Sequence, residues 1–346
     1  MNARIVIFLL LWPVSVAAQG FSGLGADADG FTTPLPGPVF SFPADHGAHP
    51  EYRIEWWYLT ANLMSADGTR YGLQWTLFRT ALAPGEAAGW QSPQVWFAHA
   101  AVTTPNRHFA TERFARGGIG QAGVTAQPFE AWIDEWALKG ASFDKLNLRA
   151  GGSDFAYDMQ LDAQGPLVFH GDGGFSVKSA GGQASYYYSQ PFFNISGTLT
   201  LPGGDVAVTG HAWLDREWSS QPLSDAQTGW DWFSLSFLGG AKMMGFQLRQ
   251  TDGTVYSAST WIAADGTTTA YPDGAFTAAP LDTTKTAGRT VPTRWRVTLP
   301  DRDVDVTVTA LNPDAWMALS IPYWEGPVDI SGSHTGQGYL EMTGYD

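Results

Sequence analysis

The residues between His211 and Trp232 carry more potential chemistry than any other stretch of the chain. The window contains four tryptophans, four carboxylates, an arginine and a histidine. Successive side chains of an extended strand point to opposite faces, so residues 211–218 divide into two sets. One face carries His211, Trp213, Asp215 and Glu217, and the other carries Ala212, Leu214, Arg216 and Trp218. Residues 219–229 are rich in Ser, Gln, Asp, Pro and Gly, which predicts a loop.

Asp231 lies just beyond this loop, on a predicted strand that begins at Trp230. It shares a face with three apolar residues, Phe233, Leu235 and Phe237. Burial among apolar side chains disfavours the charged form of a carboxyl, so we expect its pKa to be raised. A carboxyl that stays protonated can act as a general acid. The chemistry that fits is cofactor-free hydration of an apolar alkene, which needs a proton donor, a carbocation-stabilising cavity and a water molecule.

Roles for the remaining residues follow from this hypothesis. Tryptophan ring faces stabilise a cation, and a neighbouring imidazole or carboxylate orients the water. The predicted catalytic residues are Asp231, Asp215, Glu217 and His211. The predicted ligand-binding residues are Trp213, Trp218, Trp230, Trp232, Arg216, Glu55 and Trp57.

A structural network is the alternative interpretation of the same residues. Arg216 lies between Asp215 and Glu217 in sequence, and Glu55 opens a similar strand in the first half of the chain. Pairs of arginine and carboxylate, with tryptophan N–H donors, can lock the end of a barrel or an interface. For Glu55 and Trp57, packing is the favoured interpretation.

Other reaction classes receive less support from the sequence. The chain has no G-x-S-x-G nucleophile motif. A two-carboxylate glycosidase built on Glu217 and Asp231 remains open, because the sequence does not give the distance between the carboxyls. The seven histidines show no H-x-H or HExxH grouping and there are no cysteines, so we expect neither a metal site nor another cofactor.

Composition and the start of the chain indicate an exported protein. Residues 1–18 resemble a signal peptide, with a basic start, an apolar run too short for the roughly 20 residues of a membrane span, and a small-residue cleavage site before Gln19. We expect a periplasmic or secreted protein with no membrane span after cleavage. The net charge of −14 argues against nucleic acid or an anionic membrane as a partner. Apolar residues make up 44%, including sixteen tryptophans, which suits large cores or a cavity for an apolar ligand.

Short alternating segments separated by Gly, Pro and Asp-rich turns predict an all-β chain. A weak internal repeat predicts two halves: residues 55–58 resemble residues 230–233, and each segment runs through a hairpin into a second strand that ends in arginine, Arg79 or Arg249. We predict an irregular lead-in at 19–42 and two β-barrel domains at 43–190 and 191–346, with the boundary near Gln190.

Six stretches resemble the AttH-like family of exported lipocalin-like proteins, which includes the hydroxyneurosporene synthases (carotenoid hydratases). They are DHGAHPEYRIEWWYLTANL, SYYYSQPF, AWLDREWSSQPL, GWDWFSLSF, YWEGPVDISG and GQGYLEMTGY, in the expected order between Phe42 and Tyr345. The resemblance implies two tandem lipocalin-like barrels and, as a partner, an ABC-type export permease of the inner membrane. Resemblance to the hydratases favours His211, Trp213 and Asp231 as site residues. The motifs DREWSS and GWDWF are closer to those of the general secreted branch of the family.

Two functions follow from these observations. The first is binding of an apolar small molecule (a lipid, terpenoid or carotenoid) with hydration or isomerisation by acid catalysis. The second is a non-enzymatic periplasmic carrier or accessory protein of an ABC-type export system. Asp231 discriminates between them, because a cavity-facing acid with a raised pKa favours an enzyme and a closed salt bridge favours a carrier or scaffold.

Overall fold

A computed structural model describes residues 28–221 and 226–345. Within these ranges the chain forms 23 strands and three 3-10 helices, Ala44–His46, Gly89–Gln91 and Pro300–Arg302. The all-β prediction is therefore confirmed. The predicted signal peptide lies outside the described residues, as do positions 222–225 of the predicted loop.

The first sheet contains thirteen strands and curls into a nearly closed barrel. Its main path runs in the order β4-β3-β2-β1-β13-β12-β9-β8-β7-β6-β5, and the short strands β10 and β11 pair with β12. The strands are β1 (Ile54–Ser65), β2 (Arg70–Ala81), β3 (Gln94–Thr103), β4 (His108–Arg116), β5 (Ala122–Ala126), β6 (Phe129–Ile133), β7 (Trp136–Ser142), β8 (Lys145–Gly151), β9 (Ala156–Ala163), β10 (Val168–Phe169), β11 (Phe175–Val177), β12 (Ala184–Leu201) and β13 (Gly204–Ser219).

The second sheet contains ten strands and forms a half-barrel. Its path is β17-β16-β15-β14-β23-β22-β20-β19-β18, with β21 paired to β22. The strands are β14 (Gln227–Phe237), β15 (Lys242–Gln250), β16 (Val255–Ile262), β17 (Thr268–Tyr271), β18 (Thr277–Thr286), β19 (Arg289–Leu299), β20 (Val304–Ala310), β21 (Trp316–Met317), β22 (Tyr323–Gly332) and β23 (Gly336–Met342). The two sheets fit the predicted tandem of lipocalin-like barrels.

The chain changes sheet later than the predicted domain boundary. Gln190 lies inside β12, and both β12 and β13 belong to the first sheet, whereas the predicted boundary places residues 191–218 in the second half. The reason is the long β12–β13 hairpin, which pairs with β9 on one side and with β1 on the other. The chain enters the second sheet only at β14.

Burial patterns show where the two sheets meet. In β8 and β9 buried and exposed residues alternate, as in a sheet with one face in water. In β1, β2, the central part of β14 and the second half of β13 (residues 212–219) most residues are buried, because the second sheet covers the outer face of the first there. At Gly72 a Cβ atom would lie 2.5 Å from the Pro327 ring on the other sheet, so this close approach requires glycine.

Three main apolar clusters follow from this arrangement. One fills the first barrel and includes Trp57, Leu214 and Trp218. A second fills the half-barrel around Phe233 and Trp295. The third lies between the sheets and combines residues of both, Tyr58, Tyr187, Trp213, Trp232, Phe246 and others. The alternation of β13 thus divides its side chains between the first barrel and the layer between the sheets.

Candidate functional site

A cavity lies between the two sheets, beside the third cluster. Its volume is about 120 Å³, measured as the space open to the centre of a water molecule. Aromatic and aliphatic side chains of both sheets form most of the wall, namely Trp56, Phe78, Trp230, Trp232, Phe246 and Leu248. Three carboxyls and one ammonium group also line it: Asp215, Glu217, Glu341 and Lys178. An apolar cavity with a few polar groups is the usual form of a small-molecule site.

Strand register explains why Asp215 and Glu217 face this cavity. In the pairing of β1 with β13, Tyr58 opposes Asp215 and Trp56 opposes Glu217. In the pairing of β12 with β13, Ser189 opposes Asp215 and Tyr187 opposes Glu217. Directly paired residues share a face, so these side chains form two adjacent rows on the outer side of the barrel. The predicted division of residues 211–218 between two faces is the one that the structure has.

Asp215 is almost completely buried and accepts three hydrogen bonds. The Trp213 indole N–H donates to Oδ1 at 2.6 Å, and the Tyr187 hydroxyl donates to Oδ2 at 3.0 Å. The Ser189 hydroxyl also donates to Oδ1. Burial nevertheless raises the pKa of Asp215 to about 7, because these neutral donors only partly offset the loss of hydration. At neutral pH this group is therefore close to its titration midpoint.

Glu341 reaches the cavity from the second sheet, where it opposes Trp232 across β14 and β23. The Trp230 indole N–H donates to Glu341 Oε1 at 2.6 Å. Burial, together with the nearby charges of Asp215 and Glu217, raises the pKa of Glu341 to about 7. The cavity thus contains two carboxyls that titrate near neutrality, one from each sheet.

Glu325 lies next to Glu341 on β22 and is also buried. Burial, together with the neighbouring Glu341, raises the pKa of Glu325 well above its usual range. The Tyr58 hydroxyl donates a hydrogen bond to Glu325 across the two sheets. Sequence analysis missed Glu325 and Glu341, although each stands in an apolar strand, which is the same signal that singled out Asp231.

Glu217 forms the only ion pair among the charged groups that line the described cavity. Lys178 Nζ lies 2.8 Å from Glu217 Oε1, and the Ser185 hydroxyl donates to the same oxygen. The Lys178 ammonium also lies 4.9 Å from the Tyr187 ring centroid and 4.4 Å from that of Phe246. Lys178 is a third residue that the sequence did not reveal, because the loop that carries it is distant from β13 in sequence.

Asp231 does not line the cavity. It shares the inner face of β14 with Phe233, as predicted, whereas Trp230 and Trp232 point outward to the cavity. Asp231 forms an ion pair with Arg249 and accepts hydrogen bonds from Gln247 at 2.8 Å and Tyr345 at 2.9 Å. Burial raises its pKa even though Arg249 opposes the shift. Successive residues of β14 point to opposite faces of its sheet. Trp230 and Trp232 therefore face the cavity together with Asp215 and Glu217, whereas Asp231 faces the interior of the half-barrel.

Glu55, Arg216, Trp57 and Trp218 point into the first barrel, away from the cavity. Glu55 forms ion pairs with Arg79 and, at 3.2 Å, with Arg216. The Arg216 guanidinium lies 3.8 Å from the Trp57 ring centroid. Burial alone would raise the pKa of Glu55, but Arg79, His49 and Arg216 hold it well below its usual range. These four predicted ligand-binding residues instead form the arginine–carboxylate network of the alternative interpretation.

The two hairpins carry similar ion pairs in different registers. Glu55 lies directly opposite Arg79 in the first hairpin, whereas in the second Asp231 lies opposite Gln247 and Arg249 lies opposite Gly229. In each half, a buried carboxylate and an arginine pair on the inner face of the sheet. The similar pairing favours a structural role for Asp231, because Glu55 is held by Arg79 and Arg216 inside the first barrel.

His211 lies apart from the other predicted catalytic residues. It is exposed and lines an open surface depression of about 680 Å³ with Asn194 and Lys145, near the middle of β13. Burial of part of its ring and the nearby Lys242 lower its pKa. Of the predicted tryptophans, Trp230 and Trp232 line the cavity and Trp213 packs behind them, with its ring centroid 6.4 Å from that of Trp232.

Across residues 28–221 and 226–345, no group of three or more His, Asp or Glu side chains is arranged to hold a metal ion. None of the helices in this part of the chain is long and apolar enough to cross a membrane.

Comparison with known proteins places these features in context. A sequence profile described as AttH-like matches residues 33–345. The structure is similar to that of an AttH-type protein, NE1406 of Nitrosomonas europaea, with 33% identity, a TM-score of 0.82, and coverage of 91% of this chain and 99% of that one. No curated protein sequence matches the chain.

Two solved structures share the fold at low identity. Kievitone hydratase from Nectria haematococca is 17% identical with a TM-score of 0.69, over 91% of this chain and 96% of the other. CghA is 13% identical with a TM-score of 0.52, over 92% of this chain and 96% of the other.

Proposed function

The chain belongs to the AttH-like family, and from this premise we propose that it binds an apolar small molecule between its two sheets and hydrates or isomerises it by acid catalysis. A lipid, terpenoid or carotenoid is the expected ligand class. No cofactor enters this proposal, because the carboxyls of the cavity supply the proton chemistry.

The observation that carries the proposal is the pair of carboxyls in the aromatic cavity. Asp215 and Glu341 both line it, and burial raises the pKa of each to about 7. With pKa values near 7, one of these acids can be protonated while the other is ionised at neutral pH, which suits general acid–base catalysis. Three hydrogen-bond donors stabilise a charge on Asp215, so the proton is better placed on Glu341.

The reaction can be written with these two groups alone. Glu341 donates its proton to one carbon of the double bond, the π bond breaks, and the adjacent carbon becomes a cation. The rings of Trp230 and Trp232 stabilise that cation. Water then forms the new C–O bond and loses a proton to Asp215, which later returns it to Glu341. Loss of a proton from a neighbouring carbon, in place of water addition, gives the isomer.

Kievitone hydratase is consistent with this proposal, since by name it hydrates its substrate, but its 17% identity supports only the common fold. A periplasmic carrier or accessory of an ABC-type permease is the second candidate, and export through the predicted signal peptide belongs to both. A carrier needs an apolar lining but has no need of two carboxyls that titrate near pH 7, so the cavity favours the enzyme.

The first test is native mass spectrometry, with organic extraction, of the protein purified from its own host. We expect a bound apolar molecule with a carbon–carbon double bond. Incubation of that molecule with the protein in heavy-oxygen water should then yield a hydrated product that contains one heavy oxygen, or an isomer without it.

Two variants separate catalysis from binding. Glu341→Gln and Asp215→Asn should each reduce turnover by at least about 100-fold while the extracted molecule still binds. Unchanged turnover in both variants would refute the assigned chemistry, and binding without any product would support the carrier.

A further inference from the structure

The charged groups of the cavity do not balance. Three carboxyls line it, but Lys178 is the single cation among its described lining residues. Lys178 is already paired with Glu217 at 2.8 Å. Asp215 and Glu341 have only neutral partners among their hydrogen-bond donors: a serine, two tyrosines and two indoles. Any negative charge on these two groups is therefore uncompensated inside an apolar site.

The tryptophan and tyrosine donors of the wall are directed at protein groups. The indole of Trp230 donates to Glu341, the indole of Trp232 donates to Tyr187, and the Tyr187 hydroxyl donates to Asp215. A carboxylate ligand would thus meet three carboxyls, two of which have no cationic partner. Its one cationic partner would be Lys178, which is held by Glu217.

Lys178 itself shows how this cavity accommodates a positive charge. Its ammonium lies against a carboxylate and within about 5 Å of two ring centroids, those of Tyr187 and Phe246. The opposite wall also combines a carboxyl with aromatic rings, since Glu341 lies beside the rings of Trp230 and Trp232. A second cation there would be stabilised by both the carboxylate and the ring faces.

We propose that this cavity selects ligands by charge: it prefers an apolar molecule that carries a positive charge and rejects fatty acids and other carboxylates. The inference rests on the proposed function, in which the positive charge is that of the carbocation. A stable ammonium compound occupies the same position without reacting, and it is therefore expected to bind more tightly than a neutral molecule of the same shape.

The test uses three compounds with one apolar body: geranylamine, geraniol and geranic acid. Isothermal titration calorimetry at pH 7.5 should show that geranylamine binds at least about tenfold more tightly than geraniol, and geraniol more tightly than geranic acid. Glu341→Gln should weaken geranylamine binding about tenfold and change geraniol binding less than about twofold. Asp158→Asn, which removes an exposed carboxylate of β9 paired with Arg149, is the control for net charge and should preserve the wild-type preference.

The possible failures can be told apart. Equal affinities for the three compounds, or a preference for geranic acid, would overturn the charge selection but leave an apolar cavity that binds geraniol. The absence of binding by all three would overturn both this inference and the proposed function. A uniform loss of affinity in Glu341→Gln, with geraniol affected as strongly as geranylamine, would identify Glu341 as a structural residue and also refute the inference.

Discussion

Replacement of Glu341 by glutamine should change how the stability of the protein depends on pH. The pKa of Glu341 is raised from 4.5 to about 7 in the folded protein, with burial as the main cause. Above pH 4.5 the unfolded chain loses the proton that the folded protein keeps until about pH 7. The free energy of unfolding of the wild type therefore falls with rising pH across this window and levels off above it.

The size of this change in the free energy of unfolding follows from the difference between the two pKa values of Glu341. At about 1.4 kcal/mol for each pH unit, the interval from 4.5 to about 7 corresponds to about 3 kcal/mol. Glutamine keeps a carbonyl acceptor for the Trp230 indole but has no proton to lose. The variant should therefore gain about 3 kcal/mol relative to the wild type between pH 4 and pH 8. Because Asp215 is coupled to Glu341, the measured gain includes its response.

Urea-induced unfolding, followed by circular dichroism at several pH values, measures this difference directly. Asp158→Asn serves as the control, because an exposed ion pair contributes at most about 1 kcal/mol. The reasoning would be refuted if the difference between Glu341→Gln and the wild type stayed constant from pH 4 to pH 8. A difference that shrank with rising pH would mean that the folded protein stabilises the charged form.

Three further predictions concern residues named from the sequence. Asp231→Asn should lower the free energy of unfolding by about 3 kcal/mol, because it leaves Arg249 without its carboxylate, while geraniol affinity is unchanged; lost turnover in a fully stable variant would contradict this. His211→Ala should alter unfolding by less than about 0.5 kcal/mol and leave calorimetric titrations unaffected, and weaker ligand binding would show that the surface depression matters. If the chain is exported as proposed, the intact mass of the protein isolated from its own host should correspond to a chain that starts at Gln19, and retention of Met1 would contradict export by cleavage.

The fold and one wall of the cavity could be predicted because they depend on local alternation. The period of two residues along β13 correctly placed Asp215 and Glu217 on one face and Arg216 and Trp218 on the other. It also placed Asp231 beside Phe233. These assignments need only the strand itself.

The partners of these residues could not be predicted in the same way. Whether a buried carboxyl meets a cation or a cavity depends on strands distant in sequence: Arg249 from β15 neutralises Asp231, whereas β23 brings Glu341 into the cavity wall. The pairing of β14 with β23 also joins two strands that are distant in sequence, so neither strand alone predicts it. The predicted domain boundary lies before the point where the chain changes sheet for the same reason, because the sequence of a strand does not reveal which sheet the strand joins.

The strict alternation of β13 also has a consequence for protein engineering. This strand is a wall with a cavity on one side and the ion network of Glu55 and Arg216 on the other. A slip of one residue exchanges the two faces. Deletion of a single residue before Asp215 would therefore direct the Arg216 guanidinium into the cavity and a carboxylate into the barrel interior. Libraries that vary this strand should substitute residues in place, and insertions belong in the turns on either side.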